Sequence, residues 1–142
     1  AGYLTEEGTI SPAAEDGSLP TGDIAELRAG VLHITGRIKD LIIRGGVNVA
    51  PRTIENALGN IPGVKDVAVV GEPHAFWGEA IVVCLEADAG ADRQSITAAV
   101  QQRCRDRLSR SHQPDRIVVL DVFPRAVSGK IQKHLIQCGQ SA

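Results

Sequence analysis

The sequence predicts an α+β domain in which a three-stranded sheet is flanked by helices and accompanied by a small N-terminal hairpin. Two runs rich in β-branched residues, Val64 to Val70 and Ala80 to Leu85, have the length and composition of strands, and Arg116 to Val122 is a third. Between the second and third, Ile96, Val100, Cys104 and Leu108 recur every fourth residue, the period of a helix with one apolar face. Strand runs broken by a helical one, in a chain of 142 residues, fit a single core.

The elements follow in order. Residues 1–30 are rich in Gly, Glu, Pro, Ser and Thr and lack a sustained period, so no packed element is expected there. Val31-Leu32-His33-Ile34 and Leu41-Ile42-Ile43 read as the two short strands of the hairpin, and Gly45-Gly46 follows as a turn. Pro51 suits the first position of a helix, because its missing N–H would be unpaired there anyway. Ile54, Ala57 and Leu58 line one face of that helix, and Gly59-Asn60 ends it. A second helix spans about Arg93 to Leu108, and a last one is expected over Gly129 to Gln137 with Ile131, Leu135 and Ile136 as its apolar stripe.

Composition excludes several classes. Hydrophobic residues make up 43% but aromatic ones 3%, so aliphatic side chains must fill the core. A net charge of −2 argues against nucleic-acid binding driven by bulk electrostatics. Arg103, Arg105, Arg107 and Arg110 alternate with the apolar stripe and read as a solvated helix face. No apolar run approaches the roughly 20 residues of a membrane span, and no signal peptide is visible. Cys84, Cys104 and Cys138 are odd in number and widely spaced, matching neither a zinc site nor a disulfide framework. Cys84, in a strand pattern, and Cys104, on the apolar helical stripe, read as buried small hydrophobes, and a reducing, cytoplasmic compartment follows. No histidine pair has metal-ligand spacing, so no metal ligand is assigned.

The sharpest local signal is Pro124-Arg125-Ala126-Val127-Ser128-Gly129-Lys130-Ile131. With Ser128 as N-cap, Lys130 would sit just inside the last helix, where the positive end of the dipole disfavours a cation. Such a lysine makes sense if an anion docks on the same free amides and the ammonium closes over it.

Four motifs occur in order: Thr21-Gly22-Asp23; Gly36-Arg37-Ile38-Lys39-Asp40 running on through Arg44-Gly45-Gly46 to Ile54-Glu55; Val67-Ala68-Val69-Val70-Gly71 leading to Gly78-Glu79; and the Pro124–Ile131 segment. As a set they resemble the C-terminal domain of the adenylate-forming superfamily, which includes acyl-CoA synthetases, luciferases and peptide-synthetase adenylation domains. The resemblance implies two steps. A carboxylate attacks the α-phosphate of ATP to give an acyl-adenylate and pyrophosphate; the small domain then rotates and a thiol displaces AMP.

The same resemblance assigns roles to individual residues. It implies that Asp23 accepts hydrogen bonds from ribose hydroxyls and that Arg37 reaches the ribose and phosphate region. Lys39 falls at the hinge, where a solvated polar side chain tolerates a large backbone change. Arg44, Gly45 and Gly46 resemble the loop beside the pantetheine of CoA, and glycine allows close backbone approach to a ligand. Lys130 matches the lysine that stabilises negative charge in adenylate formation. Arg125, Lys133 and His134 are nearby cations with solvated surface charge as their default, and Trp77 is expected to be a packing anchor beside His74.

The implied organisation is residues 1–37 as the tail of a large N-terminal adenylation domain and 38–142 as the C-terminal lid. The N-terminal domain would supply the phosphate loop, the carboxylate pocket and most contacts to ATP with Mg2+, so this stretch alone is expected to be inactive and to need that partner. The loop pattern is more like acyl-CoA synthetases, with CoA as co-substrate. A lid serving a carrier-protein thiol and a non-catalytic binding domain are the alternatives. The acyl group is not legible.

Overall fold

The computed structural model describes residues 2–4, 10–12, 15–136 and 138. The chain divides into two compact units, Ala1–Lys39 and Asp40–Ala142.

In the first unit, β1 (Gly2–Leu4) pairs antiparallel with β2 (Ile10–Pro12), and β3 (Asp23–Arg28) pairs antiparallel with β4 (Val31–Arg37). Strands therefore occur where none was expected. The β3–β4 turn explains the miss. Ala29 and Gly30 both have positive φ, 49° and 80°, as a two-residue hairpin turn of the right twist requires. An alanine in that conformation carries none of the Asn-Gly or Asp-Gly signal by which such turns are read. A single 3₁₀ turn, Ile38–Asp40, follows, with the Ile38 amide donating to the Gly22 carbonyl at 2.8 Å.

In the second unit, β5 (Ile42–Arg44) and β6 (Val47–Val49) form their own antiparallel hairpin around Gly45-Gly46, whose φ values are 56° and 81°. The expected pairing of residues 31–34 with 41–43 is thus replaced by two separate hairpins, because each run has a nearer partner across a two-residue turn. Helix α1 (Pro51–Leu58) begins at the proline and ends at Gly59, as its sequence demanded. The long strands β7 (Val64–His74) and β8 (Gly78–Ala87) are antiparallel, helix α2 (Arg93–Arg107) follows, and β9 (Arg116–Leu120) lies parallel to β8. β8 also joins β5 through Arg44 and Gly78, so the expected three-stranded sheet is completed to five by the β5–β6 hairpin.

Strand β8 is buried on both faces, and its side chains divide by parity. Ile81, Val83 and Leu85 join Ile54 and Leu58 of α1 and Ile96, Val100 and Cys104 of α2 in the larger core. Val82 and Cys84 face the other way, onto Ala68, Phe123 and Cys138, with Ile131 and Ile136 packed at the margin. No helix covers this second face among the described residues. The expected helix over 129–137 is a hairpin loop followed by a 3₁₀ turn, Lys133–Leu135. The Ala126 amide donates to the Lys130 carbonyl, the Gly129 amide to the Ala126 carbonyl, and the Gln132 amide to the Pro124 carbonyl. Gly129, at φ 81°, closes the tip as a three-residue hairpin loop. Ser128 is a turn residue and caps nothing. Leu135 is half exposed, so the apolar spacing that suggested a helix does not correspond to one buried face.

Arg105 and Arg107 of α2 are exposed, as a solvated face requires, but two of its arginines also reach α1. Arg103 donates to the carbonyls of Leu58 and Asn60, and Arg107 to that of Ala57. Two guanidinium groups thereby satisfy the C-terminal carbonyls of α1, which otherwise lack partners and carry the negative end of the dipole. Leu58 has no exposed surface where the two helices meet the sheet. Its replacement by alanine leaves a cavity and is expected to cost about 2–5 kcal/mol, measurable as a lower urea midpoint at unchanged slope.

Candidate active site

Asp23 and Arg37 face each other across the β3–β4 ladder, with Arg37 Nε 3.0 Å from Asp23 Oδ1. The Asp23 amide donates to Thr21 Oγ1 at 3.2 Å, which holds the strand start in place. Two residues far apart in their motifs become one ion pair with an exposed guanidinium. Lys39 is exposed and is the last residue of the first unit.

The Gly45-Gly46 turn rests on a polar and aromatic platform. Arg44 makes a two-pronged contact with Asp115, Nη2 to Oδ1 at 2.6 Å and Nε to Oδ2 at 2.9 Å, and its guanidinium lies 4.7 Å over the Trp77 ring. The Gly45 amide donates to the Trp77 carbonyl at 2.8 Å. A Cβ on Gly45 would approach the indole to 3.1 Å, so glycine is required by close approach as well as by φ. Glu79 accepts from the Ile43 amide at 2.6 Å. His74 Nδ1 accepts from the amides of Phe76 and Trp77, which makes it a turn-closing acceptor and places the ring proton on Nε2. Trp77, expected as a packing anchor, is instead exposed and in neither core; its ring lies under the Arg44 guanidinium and beside Gly45.

Lys130 projects from the tip of the 124–132 hairpin, exposed, and no described residue pairs with its ammonium. Two of its three neighbouring cations, Arg125 and Lys133, are not the solvated charges expected by default. Arg125 Nη2 binds Asp66 Oδ2 at 2.7 Å and Glu86 Oε2 at 2.5 Å, while Nη1 reaches the Gly129 carbonyl at 3.4 Å. Lys133 binds Glu55 Oε1 at 2.5 Å, and the same oxygen accepts from the Val69 amide. His134 is exposed.

Glu86 is the residue the sequence reading missed. Its side chain is 1% exposed, yet it ends the apolar run of β8 at the parity of Val82 and Cys84, facing the smaller core. A lone carboxylate at an inward position was the available signal. Lys65 Nζ at 2.7 Å and the Phe123 amide at 3.2 Å join Arg125 around it. Burial pushes its carboxyl up, but the Lys65 and Arg125 hydrogen bonds and the Phe123 amide outweigh burial and hold it below the usual range. Asp115 shows the same balance: burial raises it, and Arg44 with the Ile81 amide bring it down.

The three cysteines form no disulfide and are buried, and burial pushes each thiol up, away from the reactive thiolate. Among the described residues no group of three or more His, Cys, Asp or Glu side chains is placed to hold a metal. No helix is long and apolar enough to cross a membrane.

Residues 53–130 match the family model described as the AMP-binding enzyme C-terminal domain. The chain belongs to that family. It is 38% identical to a medium/long-chain-fatty-acid–CoA ligase of Mycobacterium tuberculosis, covering 96% of this chain and 25% of that protein. It is 40% identical to a 2-succinylbenzoate–CoA ligase of Enterococcus faecalis, over 94% of this chain and 27% of that protein. In three dimensions it resembles the o-succinylbenzoate CoA synthetase of Bacillus subtilis solved with its acyl-adenylate intermediate, with a TM-score of 0.78 and 29% identity. That match covers 94% of this chain and 27% of the other. As a member of the AMP-binding enzyme C-terminal domain family, the chain spans about a quarter of the length of the curated relatives it matches.

Because Glu86 and Asp115 are depressed in the fold, their stabilisation is fully present above their ordinary values of 4.5 and 3.8 and is lost as pH falls through the folded values. Acid titration of stability should therefore show a decline beginning near pH 4.5 that is shallower in Glu86→Gln. A wild-type curve flat down to pH 3 would contradict the network.

Proposed function

We propose that this chain is the C-terminal part of an ATP-dependent acyl-CoA synthetase, which joins a carboxylic acid to CoA through an acyl-adenylate. In the first half-reaction a carboxylate oxygen attacks the α-phosphorus and the bond to pyrophosphate breaks. In the second, the thiol sulfur attacks the acyl carbon and AMP leaves as the anion.

The observation that carries this reading is the unpaired ammonium of Lys130 on a hairpin whose other cation, Arg125, and the next one along the chain, Lys133, are both consumed by ion pairs. A solvent-facing positive charge suits the equatorial oxygens of a reacting phosphate, which gain charge in the transition state. The earlier rationale from a helix dipole no longer applies; the hairpin presents the cation without that penalty. Asp23, aligned by Arg37, supplies an acceptor for ribose hydroxyls, and Arg37 retains an exposed fork for phosphate. Arg44, Gly45 and Gly46 form the face for CoA. Lys39, exposed at the boundary of the two units, is the hinge between residues assigned to the N-terminal domain's tail and the lid. ATP with Mg2+ and the carboxylate bind mainly to the partner N-terminal adenylation domain.

In the intact ligase, Lys130→Ala is expected to lower acid-dependent pyrophosphate exchange about 10²–10³-fold. Thioester formation from supplied acyl-adenylate should be nearly unchanged. Undiminished exchange would remove Lys130 from the mechanism.

A further inference from the structure

Two carboxylates outside the assigned site each hold one of its loops, and their partner sets share no residue. Glu86 takes Arg125, Lys65 and the Phe123 amide, so it grips both the chain entering the Lys130 hairpin and, through Arg125, the Gly129 carbonyl next to Lys130. Asp115 takes Arg44 and the Ile81 amide, so it grips the strand end from which Gly45-Gly46 turns. The two anchor points, Ile81 and Glu86, lie five residues apart on β8, roughly 16 Å along the strand.

Neither loop has apolar burial to fix its tip. Val127, Ser128, Gly129 and Lys130 are exposed, and so are Gly45 and Gly46. Burying a carboxylate as deeply as Glu86 is costly, and an ion pair there is weak evidence for a stability role, since apolar replacements of similar volume often do as well. What the charge provides that a leucine would not is direction. Arg125 spans from the sheet to the hairpin tip, and Arg44 spans from Asp115 to the indole face under Gly45.

We propose that Glu86 and Asp115 are positioning residues, one for each half-reaction: Glu86, through Arg125, orients Lys130 for adenylate formation, and Asp115, through Arg44, orients the Gly45-Gly46 turn for thioester formation. This rests on the acyl-CoA synthetase reading. The division of labour follows from the separate partner sets, because loosening one clamp leaves every hydrogen bond of the other in place.

The test is a double dissociation in the intact ligase with Glu86→Gln and Asp115→Asn, which keep shape and remove charge. Glu86→Gln is expected to lower kcat of acid-dependent pyrophosphate exchange about 10- to 100-fold with the KM for ATP unchanged, while thioester formation from supplied acyl-adenylate stays within about twofold. Asp115→Asn is expected to do the reverse. Amide exchange provides a readout independent of catalysis: Glu86→Gln should speed exchange at Ala126 and Gln132 and spare Gly45, and Asp115→Asn should speed Gly45 and Ile81 and spare Ala126. Equal slowing of both half-reactions, in step with a lower melting midpoint, would mean a merely structural role and overturn the proposal. Unchanged kinetics would overturn it too. Lys130→Ala run alongside separates the failures: if it is harmless, the acyl-CoA synthetase reading falls, whereas if it is crippling and Glu86→Gln is harmless, only the positioning role falls.

Discussion

Strand β8 is the constraint on which the second unit depends. It hydrogen-bonds to β7 along one edge and to β5 and then β9 along the other, so both edges are occupied by different neighbours at different heights. Its odd-numbered apolar side chains hold both helices and its even-numbered ones hold the C-terminal segment. A one-residue slip in its register would exchange the two sets, send Glu86 into the helix-facing core and unseat every loop tied to it. The unusually continuous apolar run, with a single carboxylate at its end, reflects this double burial.

That carboxylate shows how an exposed loop is ordered without a core of its own. Hydrophobic burial is strong but undirected, and in the smaller core it stops at Phe123 on one side of the hairpin and Ile131 on the other. Beyond them, order comes from charge-assisted hydrogen bonds whose angles are specific. The same device recurs at Gly45-Gly46, where Asp115 and Trp77 restrain Arg44 from two directions. Each loop can then present backbone or a lone cation to solvent while staying in one place.

Both loops belong to a chain of the AMP-binding enzyme C-terminal domain family. Cations that looked available in the sequence, Arg125 and Lys133, turn out to be structural, and the contrast leaves Lys130 as the one unpaired cation among them. Arginines on α2 underwent the same change of role, since Arg103 and Arg107 close the end of α1.

The long elements were legible from the sequence because their signals are local and repeated. The four-residue period of α2, the proline and glycine that bracket α1, and the β-branched runs of β7, β8 and β9 each describe short-range physics that tertiary contacts reinforce. The motif order was legible in the same way, residue by residue. What only the tertiary structure decided was pairing and partnership. β4 chose β3 across an Ala29-Gly30 turn with no turn signature, and in place of the expected final helix a hairpin and a 3₁₀ turn lay Ile131 and Ile136 on the second face of β8. Glu86 and Asp115 found their arginines 39 and 71 residues away, as measured for Glu86–Arg125 and for Arg44–Asp115. A sequence pattern records which residues could be charged or buried; which opposite charge lies beside them depends on a register that only the assembled sheet sets.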